Sequence, residues 1–306
     1  SSLRPGRDVG DRSTRFLWPT LGLPAMVWIV LFFLVPFYVV LCVSFGTVDP
    51  VFRSPIPIWN PLEWQFSQVQ VVWDRLFGPN NFYLPAVLRT FMYVAIAVAA
   101  CLVISFPVAY FTARYAGQYR GLVLALLVAP FFISYMMRML AWINLLQPDG
   151  LVNTIVTLGG LVPVEINWLS GNPFTVVMGL IYGYVPYMLL PLFAALDRIS
   201  PSLLEAARDL GASGFDLFRR VILPMSIPGI VAGTLLISLP MMGDYFTSDM
   251  LSKSPNTSMI GNLINLSIAT PGQSGQAGAL LILVLLVLLI PMIWYTRTNA
   301  KAEVRS

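Results

Sequence analysis

The residues able to do chemistry in this chain are few, and they stand where an apolar sequence rarely carries them. Residues 200–224, SPSLLEAARDLGASGFDLFRRVILP, form a charged stretch between two almost continuously apolar blocks. Ser202 and Glu205 have the spacing of a capping box, in which a hydroxyl and a carboxylate satisfy the free N–H groups of a helix start. Leu203, Ala207 and Leu210 then fall on one face at helical spacing. Gly211 suits a left-handed helix stop, Ser213 with Asp216 can open a second short helix, and Pro224 is expected to end it. These signals predict a helix–turn–helix at a membrane surface, offering a small apolar patch and several charges to the aqueous side. On these residues alone, a plain connector with Glu205 as its capping residue is the competing reading.

Arg138 is the second unusual feature, because it sits inside an apolar run. An arginine there costs a few kcal/mol and marks function by default. It could line a path, pair with Asp244 across helices, or reach outward to lipid headgroups. Bond-making chemistry is poorly supported. The chain has no histidine, and its two cysteines, Cys42 and Cys101, lie within apolar runs. A zinc site, histidine catalysis and a disulfide scaffold therefore have little basis. No G-x-x-x-x-G-K-[ST] occurs, so the chain cannot supply its own phosphate-binding loop.

The elements that must position these residues are membrane spans. Charged residues make up 10% of the 306 and hydrophobic ones 57%, against about 25% charged in soluble domains, and the mean hydropathy is +0.77. Six apolar segments are expected, at residues 16–45, 84–110, 122–146, 174–196, 227–246 and 277–295. The first is too long for a signal-peptide core and has no small-x-small cleavage site, so it is read as retained. Internal prolines (Pro36, Pro107, Pro130, Pro186, Pro191, Pro240, Pro291) are expected to bend the spans.

Basic residues set the orientation. Arg4, Arg7, Arg12, Arg15, Arg114, Arg120, Arg198, Arg208, Arg219, Arg220, Arg297, Lys301 and Arg305 fall on one side. Arg53, Arg75 and Lys253 fall on the other, with Arg89 near its edge. Both termini and the 200–224 loop are therefore expected to be cytoplasmic. The net charge of +4 is spread over span ends and does not point to nucleic acid. The expected layout is a tail at 1–15, a first span and external loop at 16–83, a five-helix core at 84–297 with the loop at 199–224, and a tail at 298–306. The Pro- and Trp-rich stretch at 46–83 reads as an ordered cap or lateral helix.

The loop resembles the EAA loop of ABC-importer permeases, whose pattern is EAA, three residues, G, nine residues, I-x-LP. Glu205-Ala206-Ala207, Gly211 and Leu223-Pro224 stand at that spacing, with Val221 in the Ile position. Further segments are similar to spermidine/putrescine-type permeases: Tyr135-x-x-Arg138-x-x-Ala141-Trp142, Gly183-Tyr184-x-Pro186-Tyr187-x-x-Leu190-Pro191, Gly243-Asp244-Tyr245-x-x-x-x-Met250-Leu251 and Gly278-Ala279-Leu280. The similarity extends over residues 84–295. Iron, sulfate, molybdate, thiamine and aminophosphonate permeases share much of it.

The resemblance implies an all-α membrane protein with six transmembrane helices in the type I ABC importer permease fold, multi-pass in a bacterial inner membrane. It implies a non-catalytic subunit whose coupling loop docks on a separate ATPase dimer. ATP and Mg²⁺ would be bound there and no cofactor by this chain. A second permease and an external solute-binding protein would complete the complex. Leu169-Ser-Gly-Asn172 superficially resembles the ABC ATPase signature, but no nucleotide fold surrounds it. For cargo contact the candidates are Tyr135, Arg138, Trp142, Tyr184, Tyr187, Asp244, Tyr245 and Asp249. Aromatic faces attract ammonium groups by about 0.5–2 kcal/mol each, and carboxylates add Coulomb attraction. Each tyrosine could equally be an interface anchor or helix packing. Two other classes compete. A secondary transporter would need several intramembrane carboxylates, where Asp244 alone comes close, and an inverted repeat, which is not evident. A membrane scaffold would have no need of the EAA spacing.

Overall fold

The computed structural model describes residues 22–79, 81–158 and 166–303. The 1–15 tail, its arginines, and the first residues of the first expected span lie outside them. The chain divides into two compact units, residues 1–72 with 267–279, and residues 73–266 with 280–306.

In the first unit, α1 (Gly22–Ser44) is a long apolar helix with a π turn at Val30–Leu34 just before Pro36. Its side chains from Leu23 to Pro36 are exposed, as lipid contact requires, and burial rises toward Cys42 and Ser44 at its end. Strands β1 (Thr47–Val48) and β2 (Pro55–Ile56) form a small antiparallel hairpin after it. Phe45 stacks on Trp64 at 4.7 Å, and the Tyr38 hydroxyl donates to the Trp59 carbonyl. The Pro- and Trp-rich loop is thus ordered by aromatic packing, and it leads into helix α2 (Ser67–Phe77).

The second unit is built on three helices: α3 (Leu84–Tyr115), α7 (Pro173–Asp197) and α9 (Gly214–Gly243). Small or slender residues let them approach closely, the usual basis of helix association in lipid. Ala97, Cys101 and Ala109 of α3 are fully buried against α7 and α9, with Leu180, Met188, Leu192, Ile237 and Met241. Gly229 and Gly233 of α9 make a G-x-x-x-G stripe against α7. A Cβ at Gly229 would lie 2.8 Å from the Pro191 carbonyl oxygen, and one at Gly233 3.2 Å from Pro191 Cγ.

Between α3 and α7 the third expected span is not straight. It consists of α4 (Arg120–Val128), a tight turn at Ala129–Phe132 and α5 (Tyr135–Leu146), which continues to α6 (Leu151–Leu158). The two halves, Gly117–Phe132 and Tyr135–Thr157, meet at 82°. Pro130 cannot donate to the carbonyl four residues back, and Ile133 and Ser134 are extended at ψ 137°. That bend is where Pro130 is expected to place one, whereas the fifth span departs from expectation, because Pro224 does not end a helix. α9 runs through it, with a π turn at Phe218–Ile222 in which the Leu223 N–H reaches the Phe218 carbonyl. Widening the turn just before the proline accommodates its missing donor. α8 (Pro201–Asp209), α10 (Phe246–Leu251), α11 (Ile260–Ala269) and α12 (Ser274–Glu303) complete the order.

Among the described residues four helices are long and apolar enough to cross a membrane, or five if the bent pair is one span. The sixth expected span, residues 277–295, falls in α12, a helix of 30 residues from Ser274 to Glu303.

The G-x-x-x-G contact gives a test. Gly229→Leu forces α9 away from α7, and overpacking of this kind costs about 1–3 kcal/mol. The expected outcome is a lower thermal unfolding midpoint of the purified membrane protein. Ile227→Phe, at an exposed position on the same helix, should leave that midpoint unchanged.

Candidate functional site

Two sites emerge, one at each end of α9. The first is the 200–224 segment. Its capping chemistry is shifted from the expected arrangement: the N-cap of α8 is Ser200, Pro201 occupies the first turn, and no side chain caps the helix. Ser202 contacts the Ser200 hydroxyl at 3.3 Å instead. The expected capping box of Ser202 and Glu205 does not form, because the rigid φ of Pro201 already suits the first helical position. Glu205 is exposed, and among the described residues no hydrogen bond or ion pair engages its carboxylate. A purely local capping role for Glu205 is thereby removed.

A reciprocal cap does form at the next helix start. Ser213 Oγ accepts from the Asp216 N–H at 3.1 Å and donates to Asp216 Oδ2 at 2.6 Å. Asp216 also pairs with Arg220 at 3.3 Å. The apolar face differs from the expected Leu203, Ala207 and Leu210. Leu204, Leu217 and Ile222 are buried, with Ala207 and Val221 packed beside them. Leu203 and Leu210 point away, Leu210 being 90% exposed. The N-cap lies two residues before the expected Ser202, and Leu204 rather than Leu203 faces the bundle. Gly211 holds φ at +85°, and nothing lies within 4 Å of where its Cβ would be, so the turn needs glycine for its backbone. Of the expected coupling residues, Glu205, Ala206, Gly211 and Pro224 are exposed, while Ala207, Val221 and Leu223 are half-buried.

The second site is a cavity of about 540 Å³ among α5, α7, α9 and α10. Six of the eight expected cargo residues line it: Tyr135, Arg138, Tyr184, Tyr187, Asp244 and Tyr245. Asp244 is buried, and its carboxylate accepts from the Thr247 N–H at 3.0 Å, the Thr247 hydroxyl at 2.7 Å and the Tyr135 hydroxyl at 3.3 Å. The Tyr135 hydroxyl also meets that of Thr247. Tyr135 can come so close because α7 has glycine opposite: a Cβ at Gly183 would sit 2.8 Å from its ring.

Arg138 does not pair with Asp244. Its guanidinium lies 4.5 Å from the Phe131 ring centroid, 5.3 Å from that of Tyr135 and 5.8 Å from that of Tyr182. It is 7% exposed, so it does not reach out to headgroups either. Its Nε and Nη1 have no hydrogen-bond partner among the described residues. The Asp244 carboxylate is already occupied by shorter partners, and ring faces attract a desolvated cation in its place.

Backbone acceptors add to the cavity's character. Pro186, Pro191 and Pro240 lie inside α7 and α9, so the carbonyls of Tyr182, Tyr187 and Leu236 lack their helical donors. Tyr187 and Leu236 line the cavity. The cavity wall thus combines one carboxylate, one guanidinium held by rings, aromatic faces and residues with freed carbonyls.

Trp142 and Asp249 are not brought to it. Trp142 packs edge-on against Tyr182 at 5.4 Å. Asp249 accepts from Asn262 Nδ2 at 2.6 Å and lines a separate open cleft of about 1110 Å³ with Arg89 and Lys253. Thr247, Phe131 and Tyr182 escaped sequence reading. For Thr247 a signal was present, since a threonine three residues after an aspartate is a common local hydrogen-bonding pattern. Phe131 and Tyr182 carry no such mark.

Comparison with known proteins agrees with this architecture. The chain is 36% identical over 239 residues to the spermidine/putrescine transport system permease protein PotB of Haemophilus influenzae, covering 78% of each chain. It is 34% identical over 244 residues to PotB of Escherichia coli, covering 78% of this chain and 82% of that one. Its fold matches a chain of a bacterial ABC transporter involved in the import of the acidic polysaccharide alginate, with a TM-score of 0.71 over 95% of this chain and 97% of that chain, at 19% identity. The family model for binding-protein-dependent transport system inner membrane components matches residues 3–303. With nearly its whole length matched, the chain belongs to the family of binding-protein-dependent transport system inner membrane components.

Proposed function

We propose that this chain is the membrane permease subunit of an ATP-driven, binding-protein-dependent importer, and that its cargo is a polyamine of the spermidine/putrescine class. The observation that carries the cargo reading is Asp244, a buried carboxylate in a cavity walled by tyrosines. Ammonium groups are attracted both to such a carboxylate and to the ring faces. The names of the relatives point the same way. Arg138 is no ligand for a polycation in this reading; wrapped by three rings, it fastens the bend before α5 to α7.

In the same reading the chain has six spans. The bent pair counts as one and α12 as the last, with both termini cytoplasmic, as the distribution of basic residues favours. Residues 200–224 dock on an ATPase subunit through the exposed Glu205, Ala206 and Gly211. ATP and Mg²⁺ act there and no cofactor is bound by this chain. A second permease and an external solute-binding protein complete the assembly. Closure of the ATPase dimer moves the segment, and rocking of the spans alternates access. A second reading rests on Arg138, whose unpartnered donors favour an anionic or zwitterionic solute. Among the alternatives an aminophosphonate would use both charges.

ATP hydrolysis by the complete complex in lipid, with its binding protein, separates these readings. Putrescine and spermidine should stimulate it. Asp244→Asn should weaken that response about tenfold, the scale of one lost charge-assisted hydrogen bond. Stimulation by an aminophosphonate or sulfate, with polyamines inert, would remove the polyamine reading and keep the importer.

Gly211 tests the docking role. A side chain there costs about 1–2 kcal/mol of backbone strain but meets no atom of its own chain. Gly211→Leu should therefore insert and fold while uptake is lost. Normal uptake in that variant would count against docking.

A further inference from the structure

We propose that Arg114 is a positioning residue for transport, tying the end of α3 to the junction of α7 and α8 so that movement of the 200–224 segment is carried into the α3–α7 pair as one body. The inference rests on the coupling role given to that segment above.

Arg114 lies in the last turn of α3. Its Nη2 donates to two carbonyls, Leu196 at 2.8 Å and Ile199 at 2.8 Å. Leu196 is in the last turn of α7, where a cation is favoured, and its carbonyl also accepts from the Ile199 N–H at 3.3 Å. A simple helix cap would end there. Ile199 lies beyond the helix and directly before Ser200, the N-cap of α8. The second bond therefore fixes the direction in which the chain leaves α7, and with it the placement of α8. Leu196 and Ile199 are themselves buried, at 0% and 1% exposure, so the junction cannot shift without unpacking the core.

The apolar grip of Leu204, Ala207, Leu217 and Val221 on the bundle is non-directional, and packed side chains can slide by a rotamer. A guanidinium bound to two carbonyls is directional, which is what transmitting a push requires. Arg120 reaches the same junction, pairing with Asp197 at 3.1 Å. That pair is largely exposed and so contributes little. The part-buried bonds of Arg114, made to carbonyls of two buried residues, are the connection that matters.

The test uses the complete complex in lipid with its ATPase and binding protein. Arg114→Met keeps the apolar stem and removes the donors. Basal ATP hydrolysis and assembly should match the unaltered complex, while stimulation by cargo-loaded binding protein should fall about tenfold, as for a lost charge-assisted hydrogen bond. Arg114→Lys should recover part of it, and Arg120→Ala should change it less than Arg114→Met. Full stimulation in Arg114→Met, or an equal loss of basal and stimulated hydrolysis, would overturn the positioning role. Gly211→Leu run alongside tells the two claims apart: a defect there with a normal Arg114→Met rejects this inference alone. If Arg114→Met does not assemble, spin labels at the exposed Gln118 and Ser202 in the otherwise unaltered chain decide the matter. Their separation should be the same in nucleotide-free and ATP-trapped states, and a change between those states would overturn the proposal.

Discussion

A backbone carbonyl that loses its helical donor inside hydrocarbon has no water to turn to, so each proline in a membrane helix must be answered locally. This chain answers its prolines in three ways, and the architecture follows from them. Pro130 is met by a break: two extended residues and an 82° change of direction. Pro224 is met upstream by a π turn that lets the helix continue. Pro191 and Pro240 free the carbonyls of Tyr187 and Leu236, two residues that line the cavity. The first of these answers makes the site possible. With the bend, α5 starts beside α7, and Tyr135 at its first position reaches Asp244. A straight third span would leave that tyrosine elsewhere.

The two buried charges of the cavity are handled by opposite means, and Tyr135 serves both. A carboxylate is acceptor-only when ionised, and the short side chain of Asp244 finds donors in the next turn of chain and across the interface. A guanidinium presents five donors in a plane, more than a crowded apolar wall can match. Arg138 is therefore held by ring faces, with two of its nitrogens unpartnered among the described residues. The Tyr135 ring faces the cation while its hydroxyl faces the carboxylate. The two charges consequently stay separate, and the carboxylate is left on the cavity wall without a neutralising partner side chain.

Legibility in the sequence followed the range of the forces involved. Long apolar runs marked α1, α3, α7 and α9 because lipid imposes composition over 20 residues at a time. Six of the eight cargo candidates do meet in one cavity, since ionisable and aromatic residues inside spans are costly enough to be noticed. Trp142 and Asp249 do not: Pro130 signalled a bend before α5, but its 82° size, and so which side chains turn toward α7, is not encoded in hydropathy. A similar limit applies to the 200–224 segment. Its turn at Gly211 and its cap at Ser213 were readable, being encoded within four residues. Its buried stripe was not, because Pro201 moved the helix start and exchanged Leu203 for Leu204.

The continuity of α9 changes what the proposed coupling segment can do. Had Pro224 ended a helix, as its sequence position implied, a flexible joint would separate the segment from the span. Instead one helix of 30 residues runs from Gly214 to Gly243, about 45 Å at 1.5 Å per residue. It begins inside the segment and ends one residue before Asp244. A displacement applied near Gly214 therefore reaches the cavity along a helix whose only irregularity in that first part is the π turn. Gly229 and Gly233 let its middle pack closely against α7. Arg114 holds the C-terminal end of α7, next to the Gly229 contact, to the start of the same segment. The segment is thus attached to the bundle through both helices that flank it, and a push on it has no soft connection in which to be lost.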